Sequence, residues 1–417
     1  MKKFLCVLGV LILIFCGALI YSKLLESNIP SLTVEEETIK IDSIHIYGTH
    51  LNMSGNLNLT ENMDLVLYDG EFMIYPINIV DGKFNLSEYL NDGIYLDNID
   101  IGKYYMFLRE KYIEDEKEKY RYYSLENTTE YEETVYYTMS KYNRKIVIDN
   151  NNPYNTIVLD VSKNNDKNIY DIVIDPGHGG RDPGACKNKY CETDFTIDIA
   201  MKVREELEKE GIKVKLTHEK GTLSKTEKLN EYGNGGRAVI PKEVNAKYVF
   251  SIHLNSGNNA NVGGLEVYTA SNINYEFAKN IVKNITESAE TQCSINIKNK
   301  IFDGIYSRNF TEQDVKDTLK DYERDKLNAY DVSTNSNYYY MIRETGGIVT
   351  GAYVDDRNEE ILGNPYIKSN VGAETYLLEL GYLTNKKDLD NVVNNTDKYI
   401  LGIVNSIKLL FSDNKEL

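Results

Sequence analysis

The sequence predicts an α/β fold, a mixed and mostly parallel sheet flanked by helices, preceded by a small β-rich domain and an apolar N-terminal segment. Three observations predict it. From about residue 167 onward, short apolar runs alternate with longer stretches whose apolar residues recur at helical spacing. Between residues 41 and 161 the apolar residues alternate singly, as in "IHIYG" and "RKIVIDN", with Asn, Asp and Gly between the runs. Before both lies an unbroken apolar run, Phe4 to Tyr21, behind "MKK".

At ~1.5 Å per residue the first run nearly crosses a bilayer core. The lysines before it keep that end cytoplasmic and set the rest of the chain outside. Residues 1–23 are therefore expected to be an uncleaved signal anchor, since "GALIYSK" offers poor small residues for a signal-peptide cut. Lipidation at Cys16 is disfavoured by the bulky Phe15 before it. Residues 24–40 read as a tether and 41–161 as a small sandwich-like β domain without long amphipathic helices. In that domain "REKYIEDEKEKYRYY" alternates in charge, which predicts a solvated hairpin, and His45 and His50 lack further ligand types near them.

Beyond "SKNNDKN", "YDIVID" reads as a buried strand, "FTIDIAMKVREELEKEG" as a helix with a Gly stop, and "IKVKLT" as a strand, together a crossover unit of a parallel sheet. "AKYVFSIHLN", "GGLEVYTA" and "ETYLLELG" continue the strands. "NYEFAKNIVKNITESAE" and the closing "TDKYILGIVNSIKLLF" supply helices, so the α/β domain spans about 167–412. Two polar excursions, near 294–337 and 346–374, interrupt it, and loops of such length are expected to lie over a site or decorate the surface.

A length of 417 residues with 41% hydrophobic and 27% charged residues supports a sizeable core. The formal net charge of −17 excludes a nucleic-acid partner of the usual kind, which needs clustered Lys and Arg. Cys6 and Cys16 fall in the apolar run, and Cys186, Cys191 and Cys293 face an oxidising exterior if the chain is exported.

Ligands of an open α/β sheet collect outside the carboxyl ends of its strands. His178 and His253 follow apolar strands directly, Glu379 ends "TYLLEL", and Glu192 returns toward the same edge fourteen residues after His178 (192 − 178). Two imidazoles, one carboxylate and an open position form a ligand set for catalytic zinc, and a second carboxylate can move the proton of a bound water. The plainer reading stands beside it: a histidine at a strand end is often a surface residue, and "PGHGG" alone describes a tight turn.

"IVIDPGHGGRDPGA", the glutamate before a helix, "FSIHLNS" and "LLELGYLTN" appear in that order, and together they resemble the zinc-dependent N-acetylmuramoyl-L-alanine amidases of the third amidase family. The resemblance covers about Tyr170 to Leu410. It implies zinc held by His178, Glu192 and His253, Glu379 as catalytic residue, and peptidoglycan as substrate, cut between N-acetylmuramic acid and L-alanine. The alternatives are a zinc peptidase acting within the stem peptide and an inactive wall-binding scaffold. His218 stands where the family usually has arginine and reads as a polar rim residue, and Arg237 as structural. Because an excursion separates "YYYMIRETGG" from the last strand, Glu344, next to Arg343, competes with Glu379 for the catalytic role. Cys186 and Cys191 bracket "KNKY" just before Glu192, and a short hairpin would bring them within bonding reach. With the metal set already filled, a Cys186–Cys191 disulfide is expected, with Cys293 free.

Overall fold

The computed structural model describes residues 32–57, 62–127, 134–224, 226–231, 233–325, 333–352 and 369–412. The expected anchor and the first part of the expected tether, 24–31, lie outside these residues. Among the described residues, no helix is long and apolar enough to cross a membrane.

The N-terminal strands form one connected sheet, from Thr38–Tyr47 through Val158–Lys163. The first begins two residues before the end of the stretch read as tether. Where alternation gives way to consecutive apolar residues, as in Met63–Tyr68 and the first half of Gly102–Glu114, both sheet faces are covered. Leu65, Leu67, Met106 and Leu108 enter one buried cluster. Their neighbours Val66, Tyr68, Tyr105 and Phe107 enter another on the opposite side. The charged tyrosine-rich segment is a hairpin of Gly102–Glu114 and Lys117–Asn127. Its two turn residues, Asp115 and Glu116, both have positive φ, as a tight two-residue hairpin turn requires.

In the C-terminal part, strands β1 (Ile172–Pro176), β2 (Val214–Leu216), β3 (Tyr248–Asn255), β4 (Glu266–Tyr268), β5 (Lys300–Phe302), β6 (Ile305–Tyr306) and β7 (Glu374–Tyr382) make a sheet in the order β2-β1-β3-β7-β4-β6-β5. β2, β1, β3 and β7 run parallel, whereas β4 is antiparallel to β7. Continuous apolar runs mark β1, β3 and β7 because helices cover both faces. Helices α1 (Thr193–Lys209), α2 (Ile240–Glu243), α3 (Glu276–Ala289), α4 (Glu312–Asp325), α5 (Tyr340–Thr345) and α6 (Lys386–Leu409) surround it. α1, α3 and α6 bury apolar stripes in one cluster with β1, β3 and β7.

α6 begins ten residues before the helix that the sequence suggested. Asn385 caps it by accepting hydrogen bonds from the Lys387 and Asp388 backbone N–H groups. Non-helical geometry at Asn395 then kinks it, so its two halves present separate apolar patterns. The excursions also differ from simple loops. The first supplies β5, β6 and α4, and the second supplies Val371–Gly372, which pairs in parallel with Ile46 and Tyr47 of the N-terminal sheet. Asp171 adds a second tie between the two parts by accepting from the Ser140 N–H and hydroxyl, both at 2.6 Å.

Candidate functional site

Asp175 is the penultimate residue of β1, and after Pro176 the chain turns at once into the glycine-rich loop that carries His178. Asp175 is fully buried and accepts two hydrogen bonds from Arg237, from Nε at 2.7 Å and Nη2 at 2.6 Å. Ser251 of β3 donates at 2.6 Å and Thr217 at 2.7 Å. Burial alone would raise the Asp175 pKa, but Arg237 and Ser251 outweigh it and hold the group at about 2. The root of the loop is thereby fixed to β3 and to the segment after β2.

His178 itself sits at φ +62°, a left-handed conformation that non-glycine residues adopt at a cost. Gly177 before it is required by close approach, because a Cβ there would lie 2.5 Å from the His253 ring. Gly184 answers the same need on the other side, where a Cβ would lie 2.6 Å from the Glu192 carboxylate. These contacts explain "PGHGGRDPGA" physically.

Glu192 immediately precedes α1 and is buried, and the loop delivers it between the two imidazoles. One carboxylate oxygen lies 3.1 Å from His178 Nε2, and the other 2.9 Å from His253 Nδ1. The backbone N–H groups of Ala185 and Leu254 donate to the same carboxylate at 3.1 and 3.0 Å. Burial opposes its charge, yet hydrogen bonds with His178 and His253 hold its pKa well below the carboxylate range. His178 is further held by Asp182, whose carboxylate lies 2.7 Å from Nδ1, so that Nε2 faces Glu192. Burial lowers the His178 pKa, but Glu192 and Asp182 together outweigh it and raise it. At His253 burial prevails and lowers it.

The hairpin before Glu192 pairs Cys186 directly with Cys191, and the two are joined in a disulfide with Cα atoms 4.0 Å apart. Cys293 is a free thiol. His218 is half-buried beside the loop, 3.2 Å from the Thr217 hydroxyl, and stands outside the His–Glu–His group.

Glu379 lies on β7 directly in register with His253 on one side and Glu266 of β4 on the other. Its Oε2 is buried and has no hydrogen-bond partner. Burial first, then the charges of Glu192 and Glu266, push its pKa well above the carboxylate range. Glu344 is placed otherwise: in α5, buried, with its Oε1 2.9 Å from Arg343 Nε. Asp175, Asp182 and Glu266 are site residues that sequence reasoning missed. The only signal for the first two was their position within "DPGHGGRDPG".

The ligand atoms offered by His178, Glu192 and His253 lie within 4.8 Å of one another, the group among the described residues able to hold a metal ion. Imidazole and carboxylate donors suit zinc. The buried, unpartnered Glu379 oxygen beside two other carboxylates also fits a site arranged around a cation.

A family model described as N-acetylmuramoyl-L-alanine amidase matches residues 172–408, more than half of the chain. The chain belongs to the N-acetylmuramoyl-L-alanine amidase family. Over 100 residues it is 34% identical to a Staphylococcus aureus protein named probable cell wall amidase LytH, a stretch that covers 23% of this chain and 30% of that protein. The chain thus matches under a third of that relative's length. It is also similar to the catalytic domain of the amidase CwlV from Bacillus (Paenibacillus) polymyxa var. colistinus, with 20% identity, 58% of this chain and 98% of that chain covered, and a TM-score of 0.37. For the amidase AmiC2 of Nostoc punctiforme the identity is 23%, the coverage 58% and 98%, and the TM-score 0.35.

Proposed function

We propose that this chain is a zinc-dependent amidase that hydrolyses the bond between N-acetylmuramic acid and L-alanine in peptidoglycan, with His178, Glu192 and His253 as metal ligands and Glu379 as the catalytic acid–base. The single observation that carries this reading is the convergence of the His–Glu–His group with an unpartnered buried carboxylate on β7, in register with His253 of β3, in a chain of this family. When bound, zinc would supply polarisation of the scissile carbonyl and a water acidified toward neutral pH.

The chain's own residues do the rest. Asp182 keeps the His178 ring in one orientation, and the Ala185 and Leu254 N–H groups keep the Glu192 carboxylate from turning away. Glu379 holds and moves the proton at Oε2, taking it from the attacking water and giving it to the departing amine. Burial, which raises the Glu379 pKa, favours the form that carries the proton to the departing amine. Glu344 is already committed to Arg343, which supports Glu379 over it. We further propose that the Phe4–Tyr21 run anchors the protein in the membrane with the catalytic part outside, where its substrate lies.

The acid–base assignment is tested by Glu379→Gln, which keeps shape and removes the proton-accepting group. Zinc content should be unchanged while turnover falls on the order of 10²–10⁴-fold. If Glu344→Gln gave that phenotype and Glu379→Gln stayed active, the two roles would be exchanged.

A further inference from the structure

A polar cavity of about 360 Å³ opens on the β4 side of β7, and Tyr339 and Tyr382 in its lining lie close enough to Glu379 to feel its charge. Its wall is organised by one buried acid. Glu266, fully buried and opposite Glu379 in the antiparallel register, accepts from the hydroxyls of Tyr382 at 2.6 Å and Tyr268 at 2.8 Å. The amides of Asn255 and Asn296 donate to it at 3.0 and 3.3 Å. All four donors line the cavity, so a single carboxylate holds much of that wall in place.

Two cations complete the lining, Lys298 and Arg308. Both belong to the excursion at 294–337 that interrupts the strand–helix alternation. Arg308 stacks on the Tyr338 ring and meets Asp314 at 3.4 Å, a separation too long for a strong charge-assisted bond. In a chain of net charge −17, two cations at one cavity form a local exception.

We propose that this cavity is the subsite for the peptide side of the substrate, with a carboxylate of the stem peptide engaged by Arg308 and Lys298. The inference rests on the amidase reading above. Glu379 stands between His253 and Glu266 in the sheet, so the cavity on the β4 side lies across Glu379 from His253, and the proposed subsite seats the amine that Glu379 protonates on that side. The amine carries the peptide, and the carbonyl carries the sugar. Of these two halves the peptide supplies ionised carboxylates, whereas sugar rings offer neutral hydroxyl and acetamido groups. The cations therefore make this excursion a specificity determinant.

The test is calorimetric titration of the full-length chain with the tripeptide L-Ala-γ-D-Glu-L-Lys and with its counterpart in which both free carboxylates, the D-glutamyl α-carboxylate and the C-terminus, are carboxamides. Both are products rather than substrates of the proposed reaction, so binding is read without turnover. The free acid should bind about tenfold more tightly or better, as a hydrogen-bonded charge pair would give. That preference should vanish in the Arg308→Gln/Lys298→Gln double variant and shrink with rising salt in the unsubstituted chain. Equal affinity for the two peptides, no binding of either, a preference that survives in the double variant, or Arg308-dependent binding of neutral di-N-acetylchitobiose in their place would overturn the proposal. Wall hydrolysis is scored separately. Peptide preference without amide cleavage would count against the amidase reading alone, and cleavage with no preference against the subsite alone.

Discussion

Replacing Asp175 by Asn removes the charge that neutralises Arg237 without changing the size of the side chain. Both residues are buried, with side-chain exposures of 0% and 5%. The variant leaves a guanidinium out of water with no counter-charge, which costs about 3–5 kcal/mol when one partner of a buried pair is removed. An independent figure comes from the carboxylate: holding its pKa at about 2 rather than 3.8 corresponds to about 2 kcal/mol of stability. The folded pKa is depressed, so this contribution is complete above about pH 4 and is lost as the pH falls toward 2. The larger mutational figure includes the desolvation penalty that the orphaned arginine retains. Urea unfolding at pH 7, followed by circular dichroism, should show Asp175→Asn and Arg237→Met each destabilised by a few kcal/mol. The double variant should be far less damaged than the sum, because neither charge is left alone. Additive losses, or single losses below about 1 kcal/mol, would refute the reasoning that this pair roots the His178 loop.

Three further outcomes follow from the same geometry. His253→Ala should abolish both zinc retention and hydrolysis, and stoichiometric zinc in that variant by elemental analysis would remove His253 from the ligand set. Cys186→Ser should weaken zinc affinity more than it lowers the melting temperature, because the closed loop is short while it presents Glu192. Affinity equal to that of the unsubstituted chain, read by competition with a chelator, would make the disulfide irrelevant to the site. Gly184→Ala should impair zinc binding, since its Cβ would press on both Glu192 and His178, and unaltered zinc content and activity would show that the loop absorbs the intrusion.

The sheet was legible where burial on both faces left uninterrupted apolar runs, as in "IVIDP", "YVFSIHLN" and "ETYLLELGY". The candidate site was legible for a related reason: His178 lies just beyond β1, His253 and Glu379 lie in the C-terminal halves of β3 and β7, and parallel strands bring such positions toward one edge. The supporting carboxylates were not legible. An aspartate that ends a strand reads the same whether it meets water or a buried arginine, and Asp175 finds its partner 62 residues away. Glu266 is equally silent, since its donors come from β3, β4, β7 and the first excursion. The Val371–Gly372 pairing with the first N-terminal strand was hidden too, because two residues carry no periodicity.

The most direct test of the central claim is digestion of purified peptidoglycan by the zinc-loaded chain, with the new ends identified by mass spectrometry. The account predicts free stem peptides beginning with alanine and glycan strands bearing free lactyl carboxylates, both absent when Glu379→Gln is used. Fragments cut inside the stem peptide would identify a peptidase, and the absence of any new ends would leave a wall-binding protein; either result contradicts the account.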